Sequence, residues 1–256
     1  MKKVFSISVA VAMFGLAGCM SGGGGSDDDA VMSPVSGNVS GNDAVNTETA
    51  GVKGRYMIAK TGAISQLPPS DKATVITLYG EEFDLVDGIG FGGKLPAYAQ
   101  FAAAAALVNV QTNELILAHQ GDATPTNALP TGQVKYEGVA FAMKNDNVQV
   151  TEDLDIEGLA YTIKSKAELT ADFDTKNIQG TISNISIDSQ KYDNIELAGQ
   201  IQGNTFSGNN AGVVLDGGFY GPNAAAATGI FKDNNQGLVG GFGTVQEGID
   251  LKKLTP

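Results

Sequence analysis

The chain has 256 residues, with 28 acidic against 16 basic side chains, one histidine and one cysteine. A net charge of −12 excludes nucleic acid as a partner, because phosphate binding needs a basic surface, and gives no electrostatic grip on anionic lipid. There is no Gly-x-Ser-x-Gly elbow, P-loop or dinucleotide fingerprint, and scattered carboxylates on an acidic chain serve solubility, so the reading is of a protein that is not an enzyme.

Met1-Lys2-Lys3 opens the chain, an apolar run follows from Val4 to Leu16, and Leu16-Ala17-Gly18-Cys19 closes it. That order of charged start, apolar stretch and small-residue cleavage site is a secretory signal peptide over 1–18, and the run is too short to span a bilayer. The Leu-Ala-Gly-Cys ending resembles the bacterial lipobox, which implies acylation of Cys19, a residue with no disulfide partner in the chain. Met20 rather than aspartate after the cysteine fits sorting to the outer membrane. Residues 19–50, rich in Gly, Ser, Asp and Asn, cannot bury a core and read as a flexible leash with an r.m.s. reach of roughly 30 Å.

Beyond the leash the chain reads as all-β. Residues 51–127 form a small β-rich N-terminal lobe, in which "ATVITLYG", "EEFDLVDGIGF" and "NELILAHQGD" are strands. "AYAQFAAAAALVNV" is open between helix and strand, since alanine favours the first and Val-Asn-Val the second. From 128 to 256 the apolar period is two, as in "GQVKYEGVAF", "KAELTADFD" and "AGVVLDGGFY". The runs are broken by Thr175-Lys176-Asn177, Gly203-Asn204, Gly221-Pro222-Asn223 and Asp233-Asn234-Asn235. Eight such strands in antiparallel order are the number that closes into a small, side-chain-filled barrel.

The run "GDATPTNALPTGQVKYEGVAF" carries Gly121, Thr126, Leu129, Pro130, Gly132, Tyr136 and Gly138. With "GGFYGPNAAAATGIF" (Phe219, Tyr220, Gly221, Pro222, Asn223, Ala224, Gly229), it resembles the eight-stranded barrels of Gram-negative surface lipoproteins of the transferrin-binding protein B and factor H-binding protein type. The resemblance covers about half the chain. Relatives often carry a glutamate shortly after Pro-x-Ala, where this chain has Ala225, Ala226 and Ala227. It implies a lipid-anchored protein facing the cell exterior, delivered with help from an outer-membrane translocator. It implies a receptor for a host serum protein, of the transferrin-, haemoglobin- or complement-factor-binding kind, or for haem. A structural envelope lipoprotein is the alternative from another class.

His119 shares a strand face with Leu115 and Leu117 just before the Gly121 turn, where an apolar flank beside an imidazole suits an axial haem ligand; the bland reading is a half-buried histidine bonded to backbone. In the haem reading, haem is the cofactor; otherwise none is expected. The stretch from Met143 to Ser165 is long for a hairpin connection and carries Leu154, Ile156, Leu159, Tyr161 and Ile163, so it reads as a partner-binding loop. Tyr98, Tyr136 and Tyr161 are the aromatic anchor candidates. Asp153, Asp155, Glu157 and Gly158 imitate the start of a calcium loop, but Lys164 stands where its closing glutamate belongs, so no metal is expected.

Overall fold

The computed structural model describes residues 8–9, 51–73, 75–84, 101–109, 112–145, 149–150, 156–157 and 160–249. Cys19, the leash, Tyr98, Leu154 and Leu159 lie outside them. Eight strands form the closed antiparallel barrel: β7 (Gln133–Lys144), β8 (Tyr161–Asp172), β9 (Asn177–Ser183), β10 (Ile195–Gln202), β11 (Thr205–Asn210), β12 (Val213–Tyr220), β13 (Ala226–Asp233) and β14 (Leu238–Gln246). Each pairs with the next in sequence, and β7 closes the ring by pairing with both β8 and β14.

The alternation sends one set of side chains inward. Phe173, Phe206, Phe219, Phe231, Phe242 and Tyr136 fill the lumen with Leu, Ile, Val and Ala from the other strands. Phe219 is its centre, with ring centroids 4.8 Å from Phe173, 5.1 Å from Phe206 and 6.0 Å from Tyr136. The Tyr136 hydroxyl donates to the Ala224 carbonyl at 3.0 Å, so the two sequence motifs of the barrel, far apart in the chain, meet inside it. Tyr136 is 1% exposed, which corrects its reading as a partner-binding anchor: the alternation that makes it a barrel residue turns it inward.

Upstream, β5 (Ala102–Asn109), β6 (Glu114–Asp122), β1 (Val52–Ile58) and β2 (Ala63–Gln66) make a sheet in the order β5-β6-β1-β2, with Ser8–Val9 pairing on the outer edge of β5. A hairpin of β3 (Val75–Leu78) and β4 (Glu81–Asp84) adds Ile76, Leu78 and Phe83 to the same core. The other face lies on the outside of the barrel. Val139, Phe141, Met143, Val214, Ile230 and Val239, all on the outward phase of their strands, join one hydrophobic cluster with Met57, Leu115, Leu117 and the alanines of β5. Gln120, on the far face, donates from Nε2 to the carbonyls of Lys72, Ala73 and Val75, which fastens the segment leading into the hairpin.

The alanine-rich stretch that was open between helix and strand is strand β5. Its small side chains let the sheet approach a wall that is itself stripped at Gly241; a Cβ there would sit 3.1 Å from the Ala104 Cβ and 2.7 Å from the Phe141 ring. Helix propensity yields here to the chance of burying both faces of a strand. "EEFDLVDGIGF" begins as strand Glu81–Asp84, and its remainder lies outside the described residues. Between β7 and β8, Gln149–Val150 pair with Ile156–Glu157 as a short ladder.

Replacing Phe219 by Ala is expected to cost about 3–5 kcal/mol, the range for emptying a buried phenylalanine site. Urea unfolding should show a lower midpoint at unchanged slope. A cost below about 1 kcal/mol would show that the lumen repacks around the void.

Candidate functional site

Sheet and barrel meet at one buried polar cluster. In the sheet register Gln66, Arg55, His119 and Ala104 stand opposite one another on β2, β1, β6 and β5, forming a cross-strand row on one face. The barrel wall answers with Asp216 and Tyr220, four residues apart and so on the same outward face of β12. Arg55 Nη1 donates to Asp216 Oδ2 at 2.6 Å, and His119 Nε2 lies 2.9 Å from Asp216 Oδ1. His119 Nδ1 lies 2.7 Å from the Tyr220 hydroxyl.

An ionised carboxylate can only accept, so Nε2 of His119 carries its proton toward Asp216, and Nδ1 of the neutral ring accepts from the Tyr220 hydroxyl. Asp216 is fully buried, His119 is 1% exposed and Tyr220 3%, whereas the Arg55 side chain keeps 33% of its surface in water. A buried carboxylate survives only when paired and hydrogen-bonded, and here it has both a guanidinium and an imidazole. These two are the only arginine and the only histidine of the chain. Burial pushes the Tyr220 hydroxyl upward, the Asp216 carboxylate adds to the shift and Arg55 opposes it, so the phenol stays an O–H donor.

Backbone bonds continue the joint. Thr124 N donates to Phe219 O, Gly221 N to Asp122 O, and Ala123 N to Gly51 O, each at 2.8–3.0 Å. The Thr124 hydroxyl donates to Gly221 O and the Asn204 amide to Thr124 O. At Gly121, a Cβ would meet Phe101 O at 2.3 Å and the Tyr220 ring at 2.7 Å, so only glycine admits the tyrosine.

The sequence placed His119 beside Leu115 and Leu117, and the structure keeps all three in the layer between sheet and barrel. In this arrangement both ring nitrogens are engaged by protein, and the imidazole offers neither to an iron. Tyr161 is 44% exposed at the start of β8, and Ile156 pairs with Val150 in the short ladder between β7 and β8. Sequence reasoning missed Arg55 and Asp216. A lone arginine among lysines was the signal for the first, since a planar guanidinium is the cation best suited to a buried ion pair. Among the described residues no group of three or more His, Cys, Asp or Glu is placed to hold a metal ion.

Residues 129–246 match the family model for the C-lobe and N-lobe beta barrels of Tf-binding protein B. Among solved structures, the chain is similar to transferrin-binding protein B from Haemophilus parasuis Hp5, with a TM-score of 0.53 and 21% identity over 76% of this chain and 45% of that one. It is similar also to the isotype 1 protein from serogroup B Neisseria meningitidis, with a TM-score of 0.54 and 18% identity over 78% of this chain and 44% of that one. At these identities the likeness is one of fold, and this chain spans less than half the length of either relative. No curated protein matches its sequence.

Asp216→Asn leaves the shape of the cluster but strips Arg55 of its counter-charge. It should cost about 3 kcal/mol, the low end for breaking a buried pair because Arg55 is partly hydrated, measured by urea unfolding. Burial also pushes the Tyr136 hydroxyl up. Stability from a tyrosine held protonated is present below its unfolded value of about 10 and is lost as pH rises toward the folded one. Tyr136 and Tyr220 should therefore ionise only as β circular dichroism is lost, and this late component should shrink to one tyrosine in Tyr220→Phe. Ionisation of every tyrosine before unfolding would contradict this.

Proposed function

From a barrel of the transferrin-binding protein B type, with a small β-rich lobe seated on its outer wall, we propose that this chain is a surface lipoprotein of the outer membrane that binds a host serum protein without catalysing a reaction. The observation that carries the reading is the match of residues 129–246 to barrels whose family is described by a binding activity. Structures of transferrin-binding protein B in two organisms share the fold, which supports the architecture on which that activity is built. Cys19 supplies the anchor through its lipid, and residues 19–50 hold the folded part away from the membrane.

The contact surface in this reading is the segment between β7 and β8. Tyr161 presents an exposed ring there, and Leu154, Ile156 and Leu159 supply apolar side chains along the same stretch. An exposed tyrosine at the edge of a rigid barrel is the kind of residue that carries a large share of binding energy in protein interfaces.

The test is retention from serum on the immobilised mature chain, followed by identification and titration of what is held. One serum protein should bind saturably, and Tyr161→Ala should weaken it about tenfold or more with no change in unfolding midpoint. Retention of no serum protein would sink the receptor reading. Protease shaving of intact cells tests the orientation, and a fully protected chain would place it on the inner face.

A further inference from the structure

Between β1, the segment Gln66–Ser70 and the barrel turn at Asn204–Thr205 lies a cleft of about 750 Å³. That size falls among small-molecule sites. Its charge sets it apart from the rest of the molecule. Lys53, Arg55 and His119 line it, and no Asp or Glu does, in a chain that carries 28 of them. The comparable depression of about 650 Å³ on the barrel wall is lined by Glu137, Glu168, Glu196 and Glu247 with Lys135 as its one cation.

Arg55 is the group that faces this cleft with donors to spare. Among the described residues its one side-chain hydrogen bond, Nη1 to Asp216, uses a single N–H of the five that a guanidinium carries. Nε is buried without a partner, and a third of the side chain is open to the cleft side. The carboxylate of Asp216, itself held by His119, takes one N–H of the guanidinium, and with Nε buried the donors left for a ligand are those of the two terminal nitrogens. A planar, preoriented donor edge matches the two oxygens of a carboxylate.

We propose that this cleft is a carboxylate-binding site, with Arg55 receiving the ligand across its guanidinium from Asp216. A single negative charge fits the balance: Asp216 already offsets much of the charge of Arg55, and a dianion would bring more than the lining answers. Gln66, directly opposite Arg55 in the β1–β2 register and exposed, borders the ligand on the sheet side. The carboxylate comes either from a small free acid or from an acidic side chain or chain end of a protein. The site stands whether or not the chain is a serum-protein receptor.

The single histidine gives the test a clean reporter, since His119 lines the cleft and yields one imidazole signal in the NMR spectrum. The full chain in detergent is titrated with propionate and, separately, with a peptide bearing a single glutamate and blocked ends, against sodium chloride at matched ionic strength. A saturable shift of the His119 signal is expected, weakened at least tenfold in Arg55→Lys, which keeps the charge but loses the planar edge. In Gln66→Glu it should vanish, because an internal carboxylate then occupies the place opposite Arg55 at a solvent-exposed position. Saturation by propionate assigns the site to free acids, and saturation by the peptide alone assigns it to a protein carboxylate. No saturable shift with either, an equal shift with chloride, or shifts unchanged in both variants would overturn the proposal.

Discussion

Asp216 sits on the outward phase of a barrel strand, where an isolated barrel would leave it in water. The lobe covers it completely, and a buried carboxylate without partners would be too costly to keep. Its two partners come from two neighbouring strands of the lobe, in one cross-strand row. Because strand faces alternate, a slip of one residue in either strand would send Arg55 or His119 to the far side of the sheet and leave the carboxylate alone. The ion pair thus sets the position at which sheet and barrel dock, whereas the surrounding Leu, Ile and Ala contacts would tolerate neighbouring positions almost as well. The Tyr220 hydroxyl and the Gly121 approach extend the same constraint along β12.

The barrel consequently has two kinds of outer wall. Beneath the lobe, the outward residues of β7, β12, β13 and β14 are Val139, Phe141, Val214, Ile230 and Val239. On the bare side the outward positions are mostly charged, amide or hydroxyl side chains, and Glu137 stands directly opposite Glu168 across β7 and β8. Like charges in that position destabilise a sheet, and Lys166, 2.8 Å from Glu168, relieves part of the repulsion. β7 passes from one wall to the other: its outward side reads Lys135, Glu137, then Val139, Phe141 and Met143.

That passage explains what could and could not be read in advance. The eight barrel strands were legible because the lumen is apolar at every second position and the turns use Gly, Asn and Pro. Val139 and Phe141 look like lapses in the alternation until a second layer is known to cover them. Strands β1 and β2 carried no clear period, since β1 puts Arg55 and Met57 on one face and Tyr56 on the other. His119 could be placed at the junction from its neighbours, but its partners come from about 100 residues downstream in β12 and from β1, and no local pattern links them. Asp216 in "VVLDGGFY" has the same phase as any solvent-facing residue of a barrel, so nothing in the sequence marks it as buried.

The Ala123 to Gly51 bond has a mechanical consequence. The chain enters β1 at the same end at which β6 hands over to the barrel, so Val52 pairs with Asp122 beside the junction. Tension between the segment upstream of Gly51 and the barrel therefore loads β1 one rung at a time, from Val52 inward, rather than all rungs in parallel. Arg55 lies on the fourth rung. A pull strong enough to peel β1 that far would draw the guanidinium off Asp216 and open the cleft, so load on the N-terminal side reaches this ion pair long before it reaches the barrel.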